Sequence, residues 1–195
     1  MKHNDRMHDL ALLLARTALG SSIAAHGAQK LLGWFGGPGI DAASQMMQGL
    51  GFEPGDRYAR LASLSEIGAG VLIATGTGGP IGPALLFGVM GTAVGSVHWK
   101  NGYWQRNGGF ELNTMYSLLA LLLAVEDHGR YSFDHASGMR NQMRPWMGWL
   151  ALAAGAAGAV TALSQRTSPP VMETQQQPPV SEHGTIESDS ARTMQ

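Results

Sequence analysis

The sequence contains no cysteine. Disulfides, thiolate metal sites and a cysteine nucleophile are therefore excluded within this chain. If the protein takes part in sulfur or thiol chemistry, another subunit has to supply the sulfur. Charged residues are also scarce, at 14% of the chain, against about 25% in a typical soluble domain. This deficit is typical of a membrane protein.

The sequence also lacks an excess of positive or of negative charge. The formal net charge is −1, so the sequence predicts no polyanionic partner and no nucleic acid. Asp, Glu, Lys and Arg are all missing from residues 67–99. The length of 195 residues allows one domain.

The apolar residues occur in blocks of helix length. Residues 10–32 form the first block, and a span needs about 20 apolar residues. The uncharged block 67–99 is too long for one span and is broken by glycines and prolines in residues 75–83. It therefore predicts an antiparallel hairpin of two helices, at 61–77 and 81–99. A fourth helix is expected at 111–125 and a fifth, rich in Ala and Gly, at 146–163.

These blocks predict an all-α integral membrane protein, a helical bundle of four transmembrane helices and a fifth. The expected layout is a polar leader (1–9), a four-helix membrane domain (10–134), a charged connector with the fifth helix (135–166) and a disordered polar tail (167–195). A short amphipathic helix at 39–51 is expected to lie on the membrane surface.

Two alternatives concern the first block. Residues 10–19 can also be read as the core of a signal peptide, although the later blocks are themselves hydrophobic enough to span. Lys and Arg are balanced between the two sides, so the positive-inside rule gives no orientation. A cytoplasmic N-terminus is favoured only because the leader is too short to need export machinery.

Residues 26–39 are the most informative stretch. His26 and Lys30 are four residues apart, so they share one face of a helix. Trp34 and Phe35 suit the membrane–water boundary, where an aromatic ring keeps one side apolar and one edge wet. Gly and Pro at 36–39 end the helix and turn the chain.

Ionisable side chains at membrane depth are costly and are functional candidates by default. The set comprises His26, Lys30, Glu66, His98 and Glu111, with Arg16 as a sixth. We expect Lys30 and Glu66 to pair, because an unpaired charge in a low dielectric is far more costly than a paired one. Imidazole titrates near neutrality, so His26 and His98 can donate hydrogen bonds to a quinone carbonyl and pass protons.

Several short motifs accompany these residues. They are Leu14-Ala-Arg16, His26-Gly27, the Lys30–Gly39 run, Ser65-Glu66-Ile-Gly68, His98 with Asn101-Gly102, Asn107–Glu111 and Gly129–Ser132. With these motifs, residues 10–134 resemble DoxX family membrane proteins. The resemblance implies four transmembrane helices and an association with membrane oxidoreductase complexes and with oxidative or thiol stress.

Residues and resemblance together predict a multi-pass plasma-membrane subunit of an oxidoreductase system linked to the quinone pool. Its expected partners are the lipid bilayer and soluble redox enzymes. The candidate catalytic residues are His26, Lys30, Glu66 and His98, and the candidate quinone-binding residues are Trp34, Phe35, Trp99 and Glu111. No metal is expected, because no helix offers His-x-x-x-His or Glu-x-x-His spacing.

Structural roles compete with each of these assignments. The Lys30–Glu66 pair also fits a bridge that fixes helix register, and each histidine fits a hydrogen-bonded packing role. Arg16 fits a lock onto a carbonyl or carboxylate, or a snorkelling group, better than a reactant. The aromatic residues also fit an interfacial belt. On this alternative the protein is a non-catalytic anchor or assembly factor that recruits soluble partners. A small-solute carrier is a weaker option, since no inverted repeat is evident.

Overall fold

The structure is a computed structural model that describes residues 3–126, 128–139 and 144–167. Within these ranges the chain forms helices, turns and bends, without a strand. The helices are α1 (His3–Leu32), α2 (Gly39–Gly49), α3 (Gly55–Thr75), α4 (Ile81–Ala93), α5 (Glu111–Val125), α6 (Phe133–Ala136) and α7 (Pro145–Ser164). The predicted disordered tail lies, from residue 168 onwards, outside the described residues.

Every predicted helix is present, and the differences lie at the ends. α5 has the expected bounds, whereas α3 begins six residues before the expected start at 61. Pro54 is its N-cap, and Asp56 in its first turn interacts favourably with the helix dipole. The polar residues 55–60 therefore continue the helix. α4 continues beyond Ala93 as a π-helix, Val94–His98, and a 3-10 turn, Trp99–Asn101.

Neighbouring helices run in opposite directions, except that α7 runs parallel to α4. Gly20 and Gly27 of α1 lie beside Gly70 and Ser63 of α3, respectively, which makes this pair antiparallel. Along α4 and α7, Gly88 lies beside Gly155 and Gly95 beside Leu163. We call the end of the bundle at which α1 begins the near end, and the end at which α1 finishes the far end.

Four helices build the core. Its buried apolar side chains come in pairs from α1, α3, α4 and α5: Leu19 and Ile23, Ala69 and Ile73, Leu86 and Met90, Ala120 and Leu123. α7 packs chiefly against α4 and buries Leu152 and Ala159. The helix outside the predicted four-helix domain is therefore packed as part of the same bundle.

The bundle has the composition of a membrane protein. Three segments are long and apolar enough to cross a membrane, namely Asp5–Leu32, Ile81–Asn101 and Trp146–Ser164. α5 is a shorter apolar helix of 15 residues. Large apolar side chains of α5, including Leu118 and Leu122, lie exposed on the outside of the bundle. The all-helical membrane bundle is thus confirmed, while a span count of four or five stays a prediction.

Glycines set the distance between α1 and α3. A Cβ built on Gly70 would lie 2.4 Å from the Gly20 carbonyl oxygen and 2.5 Å from the Ala24 amide nitrogen. Real Cβ atoms do not approach backbone atoms so closely. Small residues at this contact allow the two backbones to touch, as is common between helices in membranes.

Replacing Gly70 with alanine should therefore lower the free energy of unfolding by about 1–3 kcal/mol, because the added methyl group overpacks the contact. Gly68→Ala is the matched control on the same helix, since a Cβ there meets no atom within 4 Å. It should be neutral or stabilising by up to about 1 kcal/mol, because alanine favours helix more than glycine does. Unfolding in detergent, followed by circular dichroism, measures both. An equal loss in the two variants would contradict the close contact.

Candidate functional site

A buried ion pair joins α1 to α3. Lys30 Nζ lies 2.5 Å from Glu66 Oε1. The Glu66 side chain is 6% exposed and the Lys30 side chain 26% exposed. The predicted pairing of these residues is confirmed, whereas a catalytic role for either stays a prediction.

Helix periodicity explains why the pair forms. On α3 the buried positions Ala59, Ser63, Glu66 and Gly70 follow one another at intervals of three or four residues, so they share one face. On α1, Gly27 packs against that face, where its missing side chain leaves room for the Ser63 backbone. Because the two backbones touch there, a lysine near the end of α1 reaches a carboxylate within α3.

The second oxygen of Glu66 is the unusual feature of this site. Glu66 Oε2 is buried and has no hydrogen-bond partner. An ionised carboxylate is an acceptor only, with room for several hydrogen bonds. A buried polar atom without a partner needs an explanation, such as a catalytic role or a missing ligand or water. Chemically, this oxygen can accept a hydrogen bond or a proton.

His26 does not join the buried part of the site. It lies one turn before Lys30 on α1, but its side chain is exposed while its neighbours Gly27 and Ala28 are buried. Successive helix residues are about 100° apart, so a position next to the buried face points outward. A catalytic role for His26 stays a prediction.

His98 and Glu111 belong to the far end. His98 Nδ1 lies 2.7 Å from the Gly108 carbonyl oxygen. That oxygen only accepts, so Nδ1 donates the hydrogen in this bond. Glu111 Oε2 accepts a hydrogen bond from the Gln105 backbone amide at 2.9 Å. Both side chains therefore fix the loop between α4 and α5.

The candidate aromatic residues lie exposed at the same end. Trp34 and Phe35 meet edge to face with ring centroids 6.3 Å apart. Trp99 stacks on Phe110 with centroids 5.5 Å apart. Trp34, Phe35 and Trp99 are 58%, 74% and 68% exposed, as an interfacial aromatic belt requires. Their part in binding a planar ring stays a prediction.

Arg16 is a structural lock at the near end. Its side chain is 1% exposed. One nitrogen donates to the Ala74 carbonyl at 2.9 Å and another donates to the Tyr131 carbonyl. A cation at the C-terminus of α3 also interacts favourably with the helix dipole. The interpretation of Arg16 as a lock onto a carbonyl is confirmed.

Asp134 holds the hairpin between α3 and α4, and the sequence reading missed it. Its two carboxylate oxygens accept hydrogen bonds from the Gly78 and Gly79 amides at 3.0 and 2.7 Å. His128 Nδ1 lies 3.5 Å from Oδ2, and the Asp134 side chain is 2% exposed. The available signal was a charged residue two positions after the Gly129–Ser132 motif, together with a glycine-rich turn elsewhere whose backbone amides need acceptors.

Asp134→Ala should lower the free energy of unfolding by about 2–5 kcal/mol, because it leaves the buried Gly79 amide and the partly buried Gly78 amide without an acceptor. Arg60→Ala is the control: its ion pair with Asp56 is exposed, and such pairs contribute about 0–1 kcal/mol. Thermal unfolding of both variants in the same detergent measures the difference. Equal stability of Asp134→Ala and wild type would show that the glycine turn holds its shape without the carboxylate.

A bundle of apolar helices with an ion pair buried between two of them defines an integral membrane protein. Residues 11–99 match the family model DoxX. The resemblance noted in the sequence is thereby confirmed for residues 11–99, which are similar to DoxX family membrane proteins. The matched residues include α1 from residue 11 onwards and all of α2, α3 and α4, with both members of the ion pair. Searches among curated proteins and among solved structures found no match.

Proposed function

We propose that the protein is a membrane subunit of an oxidoreductase system linked to the quinone pool, with the Lys30–Glu66 pair as its quinone site. The free Glu66 Oε2 is the observation that carries this proposal. The match of residues 11–99 to the DoxX family model supports a membrane protein; the quinone link is the inference drawn from the site. The proposal includes a plasma-membrane location and soluble redox enzymes as partners.

Stability alone explains the ion pair poorly. Taking two charges out of water costs several kcal/mol per ion, and a well-packed apolar pair is often as stable or more so. Here the carboxylate keeps one oxygen without a hydrogen bond, so the compensation is incomplete. A site that binds a polar ligand explains why such a pair is retained within the bundle.

A quinone matches the chemistry of this site. Its ring and tail are apolar and reach the protein through the bilayer, while its two oxygens need polar partners. Lys30 offers a ligand oxygen N–H donors beyond the one directed at Glu66, and the carboxylate offers an acceptor to a hydroxyl of the reduced ligand. His26, exposed one turn away on α1, carries an imidazole, a side chain that can take up and release protons.

One observation favours a second function, that of a membrane anchor for soluble partners. The far end exposes large aromatic side chains, among them Trp34, Phe35, Trp99 and Trp104. The loop that carries Trp104 is held in place by His98 and Glu111. Rigidly presented tryptophans are frequent anchors in protein interfaces. On this alternative, Trp104→Ala would release partner proteins while the ion pair would be dispensable.

Quinone should co-purify with the wild-type protein extracted from its native membrane in mild detergent. Lys30→Ala and Glu66→Ala should each lose most of it, because each removes one polar partner of the ligand and leaves the other charge unpaired. Arg60→Ala is the matched control, since it breaks an exposed ion pair on the same helix. Extraction and chromatography of the bound quinone, with circular dichroism as a folding check, measure the effect.

Two results would count against this function. Quinone that is retained in both folded variants would place its site elsewhere. A wild-type preparation without quinone, but with soluble proteins that are lost on Trp104→Ala, would favour the anchor instead.

A further inference from the structure

Resting on the proposed quinone site, we infer that the site prefers the reduced form of its ligand, a hydroquinone, over the oxidised quinone. The basis is the free Glu66 oxygen, which accepts a hydrogen bond from a ligand hydroxyl. The inference concerns the redox state that the site selects and involves no electron transfer.

The ion pair determines whether Glu66 Oε2 can accept or donate a hydrogen bond. Lys30 donates to Glu66 Oε1 at 2.5 Å, which favours the ionised carboxylate. In that form the group has acceptors and no donor. A quinone carbonyl is also an acceptor only, so it gains nothing from Oε2. A hydroquinone hydroxyl supplies the donor that Oε2 lacks.

The Ser63 hydroxyl, on the same face of α3, does not donate a hydrogen bond to Glu66 Oε2. Ser63, one turn before Glu66, is itself buried and donates to the Ala59 carbonyl at 2.7 Å. A hydroxyl has a single hydrogen to donate, so Ser63 is already committed. Oε2 therefore stays without a partner among the described residues, and the proposed ligand supplies the missing donor.

A ligand reaches the Glu66 carboxylate past the Lys30 side chain. The Lys30 side chain is 26% exposed while that of Glu66 is 6% exposed, so the pair reaches the surface at its Lys30 end. The lysine side chain is long and rotatable. A small displacement of Lys30 would admit a hydroxyl to Glu66 while the ammonium group donates to that same ligand oxygen or stays on Oε1.

The test compares two ligands with the same ring and tail, one oxidised and one reduced, on the full-length protein in detergent under anaerobic conditions. Wild type should bind the hydroquinone roughly tenfold more tightly or better, as expected for a hydrogen bond to a charged acceptor. Glu66→Gln should reverse the preference, because the amide keeps an oxygen for Lys30 and presents an N–H donor in place of Oε2. Arg60→Ala should keep the wild-type ratio.

Each outcome bears on a different claim. A wild type that binds both forms equally, or the quinone more tightly, with binding lost in Lys30→Ala, would overturn this inference and leave the proposed function standing. Binding of neither form would overturn both. The wild-type ratio decides the inference even if Glu66→Gln does not fold, and the reversal in a folded Glu66→Gln assigns the preference to Oε2.

Discussion

The contact between α1 and α3 is the constraint on which the site depends. Glycines on both helices let the backbones touch, and this contact fixes the rotation and height of one helix against the other. Only at that distance does a lysine near the end of α1 reach a carboxylate in α3. The hairpin to α4 and the packing of α5 then close the core around the same two helices.

The polar groups of the bundle differ in how well they are satisfied. At the near end, Asp134 uses both carboxylate oxygens on backbone amides. At the far end, His98 and Glu111 bond to the loop before α5. Between these ends, Glu66 alone among the buried carboxylates keeps an oxygen that is buried and unbonded in the described part of the chain. The ends carry structural locks, and the proposed function rests on the acceptor that Glu66 leaves open.

Much of this arrangement was readable from the sequence. Apolar blocks and glycine-proline breaks gave the helices, because a helix in a bilayer needs a fixed length and satisfies its own backbone. Because an isolated charge at membrane depth is costly, the sequence predicted that Lys30 pairs with Glu66. The same argument predicted that Arg16 binds a polar group. The exposure of His26 was not readable, since a four-residue spacing places two side chains on one face without stating which of them is buried.

The sequence by itself determined the helical membrane bundle, the DoxX resemblance and the chemical types that had to pair. Local periodicity and the energetics of burial are sufficient for these, because both act along a single helix. Only the tertiary structure decided that Asp134 closes the α3–α4 hairpin, that His98 serves the far-end loop and that Glu66 retains a free oxygen. Each of these depends on which distant backbone groups arrive beside a side chain, and that is set by the packing of whole helices.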